Sequence, residues 1–174
     1  MKKSAKEIAY LACFTALLIG GQFLLSSVPG VEMVTLLFVC YAYAFGVGRG
    51  LACALSFSLL RQFVFGFYPT VLVLYLLYFS LLAIVFGLIG KWWDGKETKR
   101  IVFIALFACF GTLIFNLIDV ALNCVWYGYT PLAAKMYFMA SWSFTLPQII
   151  CTALSVGICF LPLQSAMRYA RKQL

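Results

Sequence analysis

The sequence predicts an all-α membrane protein with six transmembrane helices, a bundle whose two termini both lie in the cytoplasm. Of the 174 residues, 65% are hydrophobic and only 10% are charged, whereas a soluble domain carries about 25% charged residues. The apolar residues fall into six runs, and the basic residues collect in connections on one side. Because a spanning helix takes about 20 residues, six would fill most of the chain. Residues 1–174 are therefore predicted to form a single membrane domain.

Turn-forming residues separate the first four apolar runs. The Pro29-Gly30 pair follows the first run, Gly48 the second, and Gly66 with Pro69 the third. Glycine and proline mark turns because of their special backbone freedom and rigidity. The four predicted helices cover about residues 8–25, 33–47, 51–65 and 70–89.

The fifth and sixth runs follow the most polar stretch of the chain, residues 91–100. Their predicted helices cover about residues 101–126 and 137–161. Since proline disrupts a helix interior, Pro147 is predicted to kink the sixth helix and Pro162 to end it.

The basic residues predict the orientation of the bundle. Six spans would place 11 of the 13 lysines and arginines on the side that holds both termini. The other side would hold only Lys135, with Arg61 inside a span. The positive-inside rule assigns the basic side to the cytoplasm. The 11 residues are Lys2, Lys3, Lys6, Arg49, Lys91, Lys96, Lys99, Arg100, Arg168, Arg171 and Lys172.

Composition also excludes several classes of function. The net charge of +8 is explained by loop residues that orient helices, so we predict no nucleic-acid binding. The chain has no histidine, and its seven cysteines form no CxxC pair, which disfavours zinc sites, histidine-ligated haem and histidine-based catalysis. No catalytic residue, metal or cofactor of the protein's own is expected.

A polar face on the fifth helix is the first candidate binding surface. Thr112, Asn116, Asp119, Asn123 and Tyr127 recur every three or four residues and therefore share one side of a helix. Asp119 lies about 27 Å along this helix, which places it in the outer half of the membrane. A charged group inside a span costs about 2.5–3.5 kcal/mol. We favour a ligand site here over a network of hydrogen bonds between helices.

Further candidates lie on other segments. Arg61 is predicted near the middle of the membrane, where it should pair with Asp119, with Glu32, or with an anionic group of a ligand. A polar stripe on the sixth helix runs from Ser141 to Ser155, and Gln148 and Trp142, nearer the outer end of that helix, are the candidates for ligand contact. Tyr75 belongs to a group of aromatic residues towards the outer side, and aromatic walls around a few polar groups are typical of small-molecule sites.

A stripe of small residues follows the first helix. Ala5, Ala9, Ala12 and Ala16 lie within about 60° of one another around the helix axis, and Gly20 extends the stripe. Small residues at this spacing let helices approach closely in lipid. The stripe therefore predicts either packing against a neighbouring helix of the same chain, which spacing alone favours, or docking of a separate membrane subunit.

Together these features resemble the substrate-binding S components of energy-coupling factor (ECF) vitamin transporters. The resemblance covers nearly the whole chain and includes its length and predicted topology. It also includes the segments AKEIAYLACFTA, VPGVEMVTLL and YAYAFG. The family docks through an Ala-x-x-x-Ala motif on the first helix. Ala12 and Ala16 match this motif best, with Ala5 and Ala9 as a second copy.

The resemblance implies a multi-pass protein of the bacterial plasma membrane that binds a vitamin or cofactor precursor near the outer face. The protein would deliver this cargo inward with a transmembrane coupling subunit and two ATPase subunits. The chain lacks a GxxxxGK[ST] loop, so ATP would be used by those partners. The polar face with aromatic walls suits a hydrogen-bonding heterocycle or a larger cofactor such as cobalamin.

Two other interpretations compete with this one. A structural scaffold of the MreD kind has similar size and helix count, but it would not need a buried polar face and should carry no ligand. An intramembrane enzyme is disfavoured because the sequence has no histidine and shows no Ser–Lys or paired-Asp arrangement within its spans.

Overall fold

The computed structural model describes residues 5–28, 30–31, 33–92 and 97–173. All regular secondary structure in these ranges is α-helical, as the sequence predicts. Five residues used above lie outside these ranges, namely Lys2, Lys3, Pro29, Glu32 and Lys96. The six helices are α1 (Ala5–Leu25), α2 (Val34–Phe45), α3 (Val47–Phe65), α4 (Pro69–Trp92), α5 (Glu97–Tyr127) and α6 (Pro131–Gln173).

The short helix α2 lies at the centre of the bundle. Eleven of its 12 residues are buried, and it contacts all five other helices. At about 1.5 Å per residue, α2 is only about 18 Å long, which is less than the roughly 30 Å hydrocarbon core. Both ends of α2 therefore lie inside the bundle. Polar groups placed there are away from lipid.

Two glycines with positive φ, Gly30 and Gly46, lie at opposite ends of the bundle. We call these ends the Gly30 end and the Gly46 end. At the Gly30 end, Gly30 (φ 80°) lies in the connection from α1 to α2. A β-carbon on Gly30 would come within 2.6 Å of Pro147 Cβ, so this turn packs directly on α6. At the Gly46 end, Gly46 (φ 82°) is the single residue between α2 and α3. Only glycine adopts such a conformation without strain.

Helix α6 is longer than predicted. It runs for 43 residues from Pro131 to Gln173 and contains both Pro147 and Pro162. The predicted end at Pro162 is therefore wrong. A proline removes one backbone donor, and the helix continues here because Phe160, Gln164 and Met167 on either side of Pro162 are all buried against the bundle.

The surface of the bundle is strongly apolar. Helices α1, α4 and α6 and residues Lys99–Tyr127 of α5 are long and apolar enough to cross a membrane, and α2 is a shorter apolar helix. Large side chains such as Phe63, Leu106 and Ile158 are 87%, 63% and 72% exposed. Exposed apolar surface on this scale marks contact with lipid or protein. The fold is therefore that of a helical membrane protein, and the count of six spans stays a prediction.

Candidate functional site

Arg61 is held in the bundle by a polar and an aromatic partner from two neighbouring helices. Its Nε donates a hydrogen bond to Gln22 Oε1 at 3.0 Å, and Gln22 Nε2 donates to the Tyr75 hydroxyl at 2.6 Å. The guanidinium carbon lies 4.4 Å from the ring centre of Tyr75 and 4.6 Å from that of Phe65. Contacts over ring faces stabilise a cation, so this cage fixes Arg61 without neutralising its charge.

One buried nitrogen of this guanidinium has no hydrogen-bond partner among the described residues. Arg61 Nη1 is buried, and no hydrogen-bond acceptor among the described residues reaches it. Of the three partners expected for Arg61, Asp119 does not pair with it, because the two side chains form no ion pair within the part of the chain that the structure describes. The predicted alternative Glu32 lies outside that part. A buried group that is left unsatisfied is costly, so Nη1 is a natural contact point for an added acceptor.

A cavity of about 370 Å³ lies beside Arg61 at the Gly30 end. The residues around it come from all six helices and from the turn between α1 and α2. They combine aromatic and aliphatic surface with the polar side chains of Gln22, Ser26, Arg61 and Gln148. Small-molecule sites have this composition, a mostly apolar wall with a few converging polar groups.

Asp119 lies beside a second cavity of about 250 Å³ between α5 and α6. Its Oδ1 accepts a hydrogen bond from Asn123 Nδ2 and its Oδ2 accepts one from the Tyr137 hydroxyl, both at 3.0 Å. A carboxylate accepts about four hydrogen bonds in total, so Asp119 retains free acceptor capacity. The carboxylate is thus oriented by the protein and is also adjacent to open space.

The two cavities adjoin each other. Phe115, Phe144 and Gln148 belong to the walls of both. One cavity therefore presents the guanidinium of Arg61 and the other the carboxylate of Asp119, with the amide of Gln148 in the shared wall. We call this pair of cavities the Gly30-end site.

The polar faces of α5 and α6 also bond to each other. Ser141 Oγ donates to Asn116 Oδ1 at 3.3 Å, and the hydroxyls of Thr112 and Thr152 are 3.4 Å apart. The hydrogen-bond network that the sequence analysis treated as the alternative therefore exists in part. It does not fill the space beside Asn116, which lines the same cavity as Asp119.

The remaining candidate residues occupy different positions. Tyr75 and Gln148 line the larger cavity, whereas Asn123 acts on Asp119 through its hydrogen bond. Trp142 lines neither cavity of the Gly30-end site. Its ring packs edge-to-face on Phe138, with the two ring centres 5.9 Å apart. Tyr127 is 58% exposed and stacks on Tyr129.

Sequence reasoning missed two positioning residues, Gln22 and Tyr137. Both contact their partners from far along the chain, across 39 residues for Gln22–Arg61 and 18 for Tyr137–Asp119. For Gln22 a signal was present, because an amide inside an apolar run needs a hydrogen-bond partner.

The small-residue stripe on α1 faces outward. Ala5, Ala9, Ala12, Ala16 and Gly20 are all exposed, and α1 instead buries Phe14, Thr15 and Leu18 on its opposite side. A β-carbon on Gly20 would meet no atom within 4 Å. Packing of this stripe against a helix of the same chain, which spacing alone favoured, is therefore wrong for the described residues.

The arrangement at the Gly30-end site is suited to binding. The described residues contain no group of three or more histidine, cysteine, aspartate or glutamate side chains that could hold a metal ion.

The chain matches no protein-family model, no curated protein and no solved structure. The case for a function therefore depends on the geometry of the site itself.

Proposed function

We propose that this protein is the substrate-binding S component of an ECF-type importer. It would capture a vitamin or cofactor precursor at the outer face, which corresponds to the Gly30 end, and deliver it inward with a coupling subunit and two ATPases. The observation that carries the proposal is the buried Nη1 of Arg61, which has no partner among the described residues and lies beside a cavity of about 370 Å³. A bound acceptor would satisfy that nitrogen, which no described residue does.

The charges of the site limit the chemistry of the ligand. Arg61 supplies a fixed positive group to one cavity, and Asp119 supplies a carboxylate to the adjoining one. The ligand that fits both carries an acidic or strongly accepting group at one end and an N–H or O–H donor at the other. Cavities of about 370 and 250 Å³ suit a molecule of vitamin size, since ligand pockets hold about 300–1,000 Å³.

Two further features support a role within a larger assembly. The exposed alanines of α1 leave a face on which another helix could pack closely. In the predicted topology most of the basic residues lie at the Gly46 end. The positive-inside rule would then place that end in the cytoplasm. A coupling subunit would then dock along α1 while the ligand site opens to the outside.

The test begins with the molecule that accompanies the purified protein. Mass spectrometry of a denatured sample should identify a small compound bearing both an acidic group and a hydrogen-bond donor. That compound is then titrated against the protein and against variants. A hydrogen bond to a charged group contributes about 1.5–3 kcal/mol, so Arg61→Gln and Asp119→Asn should each weaken binding by roughly 10- to 150-fold.

Lys135→Gln is the matched control, because Lys135 is exposed and lines neither cavity. It should bind like the unmodified protein. Absence of any co-purifying compound, together with no binding across a panel of vitamins, would favour the scaffold interpretation. Normal affinity of well-folded Arg61→Gln protein would remove the observation on which the proposal depends.

A further inference from the structure

Another polar cavity, separate from the two of the Gly30-end site, lies at the Gly46 end of the bundle. Its volume is about 380 Å³. Helices α2, α4 and α6 form it, and its walls contain three cationic side chains and no acidic one among the described residues. The residues that line it are Tyr43, Ala44, Gly90, Gln164, Arg168, Arg171 and Lys172.

The cationic groups come from the last two turns of α6. Gln164, Arg168, Arg171 and Lys172 follow helical spacing and share one side of the helix. Arg171 Nη1 donates a hydrogen bond to the carbonyl oxygen of Ala44 at 2.8 Å, which ties α6 to the end of α2. Arg168 and Lys172 make no hydrogen bond or ion pair with the described residues. Arg171 is thus anchored to α2, and the charges of Arg168 and Lys172 are not compensated by any described residue.

Two buried polar side chains in the same wall have groups that no described residue partners. Gln164 is only 3% exposed, yet neither its Nε2 nor its Oε1 bonds to any described residue. Tyr43 is 4% exposed, and its hydroxyl is also unpartnered within the described chain. Leaving such a group unsatisfied costs about 1–3 kcal/mol. Two donors that no described residue satisfies lie in one wall beside three cations, and together they indicate an acceptor that carries negative charge.

We propose that this cavity binds a phosphate group. A phosphate oxygen would accept hydrogen bonds from Gln164 Nε2 and the Tyr43 hydroxyl, while Arg168 and Lys172 balance its charge. Arginine and lysine are the residues that phosphate sites most often use. The phosphate belongs either to a soluble ester or to the headgroup of an anionic lipid, and the same side chains would recognise both. Basic residues near the ends of membrane helices attract anionic lipid headgroups.

This site is independent of the proposed transport function. It shares no lining residue with the Gly30-end site, and it would be present in a scaffold as well as in an importer. Loss of phosphate binding with normal vitamin binding, or the reverse, would separate the two proposals.

The experiment measures binding of defined phosphate compounds. Purified protein in a neutral detergent is titrated with inorganic phosphate and glycerol 3-phosphate. In parallel, native mass spectrometry counts the lipids retained from nanodiscs of phosphatidylglycerol or of phosphatidylcholine. We expect binding in at least one of these two arms, weakened by added salt because charges are screened. The arm that responds identifies the source of the phosphate.

Variants distinguish a built site from general attraction to a positive surface. The double variant Arg168→Gln with Lys172→Gln should weaken binding at least tenfold, as loss of charge-assisted bonds predicts. The double variant Lys99→Gln with Lys135→Gln removes the same charge from exposed positions outside the cavity and should bind normally.

Gln164→Glu tests the buried wall of the same cavity. It keeps the size of the side chain but places a like charge beside the phosphate, so it should also abolish binding. Equal binding by both double variants would overturn the proposal. No binding in either arm, or full binding by Gln164→Glu, would do the same.

Discussion

Gly87 tests how closely α4 approaches the start of α3 at the Gly46 end. A β-carbon on Gly87 would lie 2.6 Å from Val47 N and 2.9 Å from Val47 Cα. These are backbone atoms at the start of α3, so they cannot move aside as a flexible side chain would. Gly90 is equally constrained, since a β-carbon there would collide with the backbone carbonyl of Tyr43 in α2. The Gly87→Ala variant should therefore force the helices apart.

The expected change in the free energy of unfolding combines two opposing contributions. Alanine is favoured over glycine in a helix interior by about 1 kcal/mol, whereas overpacking a well-packed interior costs about 1–3 kcal/mol. Gly157 supplies the control, because it lies within α6 and a β-carbon there would meet nothing within 4 Å. Gly157→Ala receives only the favourable term. The two variants should differ by about 1–3 kcal/mol in their free energy of unfolding.

The assay is thermal unfolding in one detergent at one scan rate, followed by tryptophan fluorescence. For a chain of this size, about 1 kcal/mol corresponds to a shift of roughly 2–4 °C, so Gly87→Ala should unfold about 2–12 °C below Gly157→Ala. A fixed scan rate matters because unfolding of membrane proteins in detergent is often irreversible. Identical midpoints for the two variants would refute the close helix contact at Gly87.

The remaining predictions concern the proposed function. Ala12→Trp should abolish uptake by the assembled transporter while ligand binding by the isolated protein stays normal, because Ala12 is exposed on the face proposed for docking. Leu17→Trp, exposed on another side of α1, should transport normally, and equal transport by both variants would argue against docking there. Tyr137→Phe removes the 3.0 Å hydrogen bond to Asp119 and should weaken ligand binding by about tenfold, since bonds to charged groups contribute about 1.5 kcal/mol or more. Tyr127→Phe is its control, and an unchanged affinity of Tyr137→Phe would show that Asp119 needs no such support.

Local sequence signals predicted the helical segments well where turn chemistry marks their ends. The predicted end of the first helix at residue 25 matches α1, and the glycine at position 66 follows the end of α3 as expected. The start of α6 was missed although a signal existed. The hydroxyl of Thr130 accepts a hydrogen bond from the backbone N–H of Ala133, and Pro131 occupies the first helical position, where proline is favoured.

The site was predictable only in part, because its residues meet across the bundle. Helical periodicity placed Asn116, Asp119 and Asn123 on one face without indicating what lies opposite them. The contact of Tyr137 with Asp119 requires the register between α5 and α6, which the turn at Gly128 (φ 61°) sets. Such registers depend on packing between helices and leave no short-range pattern in the sequence.

The separation of Arg61 from Asp119 is the strongest argument for binding over a purely structural role. Two opposite charges inside a membrane bundle lower their cost when they pair and complete their hydrogen bonds, and leaving one unpaired is strongly destabilising. Here each charge is held by other groups, Arg61 by Gln22 and two rings, and Asp119 by Asn123 and Tyr137. The side chains of Arg61 and Asp119 each line a cavity. A scaffold gains nothing from this arrangement, whereas a receptor for a small polar molecule needs charges that are fixed in place and not yet neutralised.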